Sequence, residues 1–304
     1  MQTKQSSPYE RQAALAIHVW KHPTPTRWGK GMAAIYKPFN SAGDALLSTA
    51  LVKSAMEKSM VGLLSLLNDV AALSLRPKAV FRDFDPPVGS LADIHVLDLE
   101  DADKAVGYLA TKYKGVALGE GALAGSLSLA NPVVAAAAIA ADTSTLLALN
   151  LRAVSEYATY YGFDISRQEE RLFALNVLGL ASAPGDAAKI VAMGQLVKIA
   201  QQVAAKRTWR QLNKQAFVQV VQTIAKSLSI RLTKAKLAQV IPALGIVVGG
   251  GFNAYYTNKV CDAAYFLYRE RFLARKYGAE FIEATVEPAA ADDFGDGYVD
   301  VDFV

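Results

Sequence analysis

At 304 residues the chain is long enough to bury a substantial core. With 52% hydrophobic and 20% charged residues it has the balance of a well-buried helical protein, or of one that touches a membrane. A single cysteine, Cys261, excludes an internal disulfide, argues against a cysteine-based zinc site and fits a reducing, cytoplasmic compartment. The net charge of +4 hides a strong segregation. Residues 187–261 carry eleven Lys and Arg and no acid, whereas residues 83–103 carry seven acids and no Lys or Arg. Such asymmetry bears on partners and on internal docking rather than on fold.

Residues 1–8 read as a loose lead, and the apolar run behind them is not that of a signal peptide, because Glu10, Arg11 and His18 interrupt it. A first amphipathic helix over residues 9–21 sets Ala13, Ile17 and Trp20 on one face. The next segment, HPTPTRWGK, adds Arg27, Trp28 and Lys30. Tryptophans interleaved with cations suit a bilayer interface, where the indole sits at headgroup depth; the alternative is that Trp20 and Trp28 cover a core at helix ends. A helix opening at Asn40-Ser41 carries Leu47, Leu51, Met60, Leu63 and Leu67 and ends at Arg76-Pro77. Beyond the proline-rich connector 81–89, Asp98 or Asp101 can cap a helix whose acidic first turn complements the helix dipole. That turn accounts for the acids around His95 without a metal.

The stretch 115–162 organises the reading. Residues 121–141 hold no charge, and Gly115, Gly119, Gly121 and Gly125 give two small-residue faces that let helix backbones approach closely. The expectation is a tightly packed helical hairpin around which the chain is arranged. Asp142 ends the uncharged run, either as the N-cap of a helix starting at residue 143 or as a partly buried acid that needs a partner. Arg152 is the nearest cation in sequence, and Arg152 with Glu156 forms an i,i+4 pair. Ser166 and Glu169 match a capping box. Basic helices follow over residues 186–203 and 208–228, with Lys206, Arg207, Trp209, Arg210 and Lys214 clustered between and within them.

A second small-residue hairpin spans 237–258, and an aromatic helix over 259–277 stops at Gly278. Residues 287–304 form an acidic tail that reads as disordered and able to mask the basic face. Both hairpins lead into a long helix ending in Tyr-Gly, with Asp142 or Asn258 twenty positions before the glycine, the pattern of a diverged internal duplication. The uncharged runs would span a bilayer by count, but their proline, glycines and scarcity of large side chains favour buried hairpins. No strand-period stretch stands out, so the fold class is all-α, one helical domain over residues 9–286.

The segment GALAGSLSLANPVVAAAAIAADTSTLLALNLRAVSEYATYYGFDISRQEERLFAL resembles the heart of the EcsC family. That family's pattern is a Gly-rich apolar stretch, an Asp, a helix with an Arg, Tyr-Gly-x-Asp and a Glu-Glu-Arg helix. Here these are Asp142, Arg152, Tyr161-Gly162, Asp164 and Glu169-Glu170-Arg171. Asn253, Arg269, Arg271, Glu10 and Trp20-Lys21 extend the resemblance to residues 9–278. It implies a helical bacterial protein whose family namesake is encoded beside a membrane transporter implicated in secretion; it implies no settled activity.

Chemistry motifs are weak. Gly119-x-Gly121 with Gly125 has the wrong spacing for a dinucleotide fingerprint and no strand before it. The three histidines show no HExxH or zinc-ligand spacing, no G-x-S-x-G occurs, and Cys261 reads as a small buried hydrophobe. No cofactor and no metal are expected. The best binding signal is Lys206, Arg207, Trp209, Arg210 and Lys214, which suits anionic headgroups at about 1 kcal/mol per cation. The leading expectation is a non-enzymatic protein at an anionic membrane surface, or one holding a lipid or apolar ligand, with Trp20, Trp28 and Trp209 at the interface. A transporter or secretion component would be its partner, and no nucleic-acid module is recognisable. The alternative is a hydrolase with Asp142 and Arg152 in a buried polar site, or an effector of a secretion system.

Overall fold

The computed structural model describes residues 5–22, 57, 58, 60–63, 65, 75–125, 132–182 and 249–291. Among them there are helices and turns and no strand, so the protein is all-α. The helices are α1 (Pro8–Lys21), α2 (Pro77–Arg82), α3 (Leu91–Ile94), α4 (Leu99–Val106), α5 (Leu109–Gly125), α6 (Pro132–Tyr160), α7 (Gln168–Ala181), α8 (Gly249–Tyr277) and α9 (Phe281–Ala291). Trp28, Lys206, Arg207, Trp209, Arg210, Lys214, the first arm of the second hairpin and the acidic tail beyond residue 291 lie outside the described residues.

The first helix shows how local sequence sets an element. Ser7 Oγ accepts from Glu10 N at 3.1 Å while Glu10 Oε2 accepts from Ser7 N at 3.0 Å, a reciprocal capping box, and Pro8 at the first helical position gives up no needed donor. Ala13, Ala14 and Ile17 then form the buried stripe. The box expected at Ser166 and Glu169 does not form. The helix starts at Gln168 with Arg167 as N-cap, and Ser166 N is taken instead by the Asp164 carboxylate at 2.9 Å. Asp and Ser compete locally for the same backbone donors, and here the Asp turn wins.

Asp142 is not a helix start. The helix runs unbroken from Pro132, an N-terminal proline, through Asp142 to Tyr160, 29 residues or about 43 Å. α8 has the same length. Both end in Tyr-Gly, yet they close differently. After α6, Phe163 N bonds Ala158 O at 2.7 Å and Gly162 N bonds Thr159 O at 3.0 Å, a Schellman motif with Gly162 at φ +82°. After α8 a single Gly278 N to Ala274 O bond of 2.9 Å does the work, with Gly278 at φ +106°.

The hub is α8, not the hairpin of residues 115–162. It packs on α1, α4, α5, α6, α7 and α9. The reason is in its side chains: Tyr256, Val260, Cys261, Ala264, Leu267, Tyr268, Phe272 and Leu273 bury successive faces of the helix rather than one stripe. α7 is likewise buried nearly all round, from Leu172 to Leu178. α5 and α6 form a hairpin, with Lys112 Nζ 2.9 Å from Glu156 Oε2. Its packed face is Leu109, Tyr113 and Ala117, at helical spacing. The face of Gly115 and Gly119 is the open one: a Cβ at either position would meet nothing within 4 Å. Among the described residues no helix is long and apolar enough to cross a membrane.

Candidate functional site: a charged core and an exposed helix face

Buried charges converge where α1, α4, α6 and α8 meet. Asp103 on α4 receives Tyr9 OH at 2.7 Å, Tyr161 OH at 2.6 Å and Arg269 through Nε at 3.0 Å and Nη2 at 2.9 Å. Arg269 stacks on the Tyr265 ring, 4.5 Å from its centroid. Burial pushes the Asp103 carboxyl up, and Arg269 with the two phenols opposes that. With four donors on two oxygens and only 7% of its side chain exposed, this carboxylate has no room to act as a general base. It is a clamp.

A second cluster lies at the adjoining helix ends. Glu10, fully buried, accepts from Lys276 Nζ at 2.7 Å, Tyr277 OH at 2.5 Å and Leu99 N at 3.4 Å, beyond its bond to Ser7 N. Lys276 reaches on to Asp98 Oδ1 at 2.6 Å and Leu97 O at 3.3 Å. So Asp98, the N-cap residue of α4, spends its carboxylate on α8 rather than on its own helix. A third pair, Arg271 with Glu170, is bidentate at 2.6 Å on both arms, its guanidinium 4.0 Å and 4.2 Å from the centres of Phe163 and Phe173. Lys21 meets Glu270 at 2.6 Å.

His95 lies in the turn after α3, against the bend that follows α6. A Cβ on Gly162 would come within 2.6 Å of its ring, so that position needs glycine for space as well as for backbone angle. Burial, and then Arg275 and Arg271, depress the His95 imidazole to about 4. Because the folded protein holds it neutral and the unfolded chain protonates near the ordinary value, its contribution is full above about 6.5 and is lost as pH falls toward 4. Urea unfolding between pH 7 and pH 5 is therefore expected to show falling stability, with a shallower fall in His95→Gln. Equal slopes in the two proteins would exclude this group as a source.

Of the site residues singled out from sequence, the described ones, Asp142, Arg152 and Trp20, are not brought together. Asp142 Oδ1 accepts from Asn253 Nδ2 at 3.1 Å, joining α6 to α8. Arg152 lies ten residues on, about 15 Å along the same helix and on a different face, 3.4 Å from Glu156 Oε1. Trp20 is half-buried and stacks on Phe266 at 5.0 Å, covering the core. His95, Asp98, Asp101 and Asp103 do not converge, and no group of three metal-ligating side chains does so among the described residues. Sequence reasoning missed the role of Asp103 and Lys276, which sit in ordinary acidic and basic helix turns. It missed Tyr9 too, whose ring gives no sign in sequence of its distant carboxylate.

Among the described residues, α5 carries two of several exposed large apolar side chains. Val116 is 43% and Leu118 50% exposed, flanking the open glycines. The hairpin sets α5 antiparallel to α6. The contacts Asp142–Asn253, Asn150–Thr257 and Tyr161–Phe272 set α6 parallel to α8. α5 therefore runs antiparallel to α8; burial pushes the Cys261 thiol on α8 up to about 12, and Lys114 on α5 is near enough to oppose that slightly. On α8, Tyr255 is 45% exposed and its ring carries Lys259 Nζ at 5.4 Å. Lys112, one turn before Val116, is 55% exposed along its side chain while its ammonium meets Glu156 at 2.9 Å.

Comparison with known proteins agrees with the helical architecture. The EcsC protein family matches residues 11–273. A protein of Bacillus subtilis (strain 168) named "Uncharacterized protein YdbA" is 26% identical over 133 residues, 44% of this chain and 46% of the relative, so the match spans about half of each. No solved structure matches the chain. The match over most of its length places the chain in the EcsC protein family.

Proposed function

We propose that the protein is a non-enzymatic helical module that docks on anionic membrane surfaces through the outward face of α5. The observation that supports this is Val116 and Leu118 standing exposed on α5, each one helical turn after a lysine (Lys112 and Lys114), with Lys259 on the Tyr255 ring of α8. Half-exposed Val and Leu side chains return about 1 kcal/mol each on burial, and each lysine near the surface adds about 1 kcal/mol. The sum, about 5 kcal/mol, corresponds to weak, reversible attachment that needs a second contact for residence. The cluster Lys206, Arg207, Arg210 and Lys214 with Trp209 supplies such a contact in this reading, and a membrane transporter or secretion component is the partner it would meet there. The hydrolase reading has no geometry in its favour, since Asp142 and Arg152 face different neighbours.

The test is vesicle co-flotation of Val116→Asp/Leu118→Asp, two exposed positions whose change leaves the packed face intact. Flotation with anionic vesicles is expected to fall at least tenfold. Replacing Lys206, Arg207, Arg210 and Lys214 by Gln measures the share of the basic cluster. Undiminished flotation of the Asp variant rules out the α5 face.

A further inference from the structure

We infer that His18 and His22 form a chelating site for one late first-row divalent ion, of the Zn2+, Ni2+ or Cu2+ class, at the junction of α1 and α9. The two side chains lie one turn apart at the C-terminal end of α1, their ring centroids 4.3 Å apart and planes tilted by 35°. One ion with 2.0–2.1 Å bonds spans ligand nitrogens roughly 3 Å apart, so the two tilted rings must rotate to converge on it.

The tautomers suit ligation. His22 Nδ1 lies 3.0 Å from the backbone oxygen of His18. A carbonyl can only accept, so Nδ1 carries the proton and Nε2 is left with its lone pair outward. A ring N–H held by a backbone carbonyl is the usual support of a metal-ligating histidine. Among the described residues no hydrogen bond reaches the His18 ring, so both its nitrogens remain for a ligand.

The surroundings supply a carboxylate. Glu283, exposed on α9, is near enough to act electrostatically on His18, and α9 packs on α1. Lys21, the opposing cation, is held 2.6 Å from Glu270. No third ligand is already placed round a common point, so the site is a two-imidazole chelate that Glu283 and water complete. Imidazole donors select zinc, nickel and copper over magnesium and calcium. A bound ion would fasten the last turn of α1 to α9, where the chain leaves for the HPTPTRWGK segment.

Titration calorimetry of the metal-stripped full chain with Zn2+, and separately with Ni2+, tests the site. Uptake of one ion per chain is expected. His18→Gln and His22→Gln should each weaken it by about tenfold or more, Glu283→Gln should weaken it less, and His95→Gln should leave it unchanged. Matching far-ultraviolet circular dichroism verifies that the surface variants fold. Absence of uptake by the full chain, or undiminished uptake in the His18→Gln/His22→Gln double variant, would overturn the assignment.

Discussion

Glu10→Ala is expected to cost the fold about 3–5 kcal/mol, measured as a lower urea midpoint, because it strips the counter-charge from a buried ammonium. The Lys276 side chain is 5% exposed, and what remains to it is Asp98, which is 57% exposed, together with the Leu97 carbonyl. The same change orphans Tyr277 OH and Leu99 N and dissolves the capping box with Ser7, a loss of about 1 kcal/mol on its own. Burial alone would raise the Glu10 carboxyl. The bonds from Lys276, Tyr277 and Ser7 outweigh it and hold the group below its ordinary value. A lowered carboxyl contributes stability above its ordinary range and loses it as pH falls through the folded value, so this clasp opens in acid. A loss under about 1 kcal/mol would mean that the cluster is solvated and carries little.

Asp103→Ala is expected to be comparably severe, about 3–5 kcal/mol, since Arg269 is 5% exposed and would stay charged without a partner. Tyr9 and Tyr161 would lose their acceptor as well. Arg269→Met in the Asp103→Leu background should recover much of the loss, because removing both charges leaves neither uncompensated. In the double-mutant cycle the interaction free energy should be about 2–3 kcal/mol. Single losses that simply add would show that the two side chains do not act as a unit.

Several motif residues that carry the family resemblance prove to be fasteners. Glu10 joins α1 to α8, Asp142 meets Asn253, Glu170 meets Arg271, Lys21 meets Glu270, and Gly162 caps α6 against His95. Their pattern was legible because polar residues at fixed places in apolar helices stand out. Their partners were not, since Asp103 and Arg269 meet across 166 positions and no local periodicity encodes that pairing. The all-α class was readable from helical spacing and the absence of alternation, and the Tyr-Gly stops from glycine chemistry. Three readings that followed short motifs went astray, each for its own reason. The Ser166 box lost its donor to the Asp164 turn, the Asp142 cap lies inside a helix that begins at Pro132, and Gly115/Gly119 turn away from the packed face.

The same distinction bears on function. The buried charges that stand out in sequence are committed to one another, so the proposed docking rests on exposed side chains such as those of α5 and the lysines beside them. Flotation of the full chain with neutral and with anionic vesicles, at low and at high salt, tests that claim most directly. Attachment to anionic vesicles alone, released as salt screens the lysines, is the predicted result. Failure to float with either kind of vesicle at low salt would contradict it.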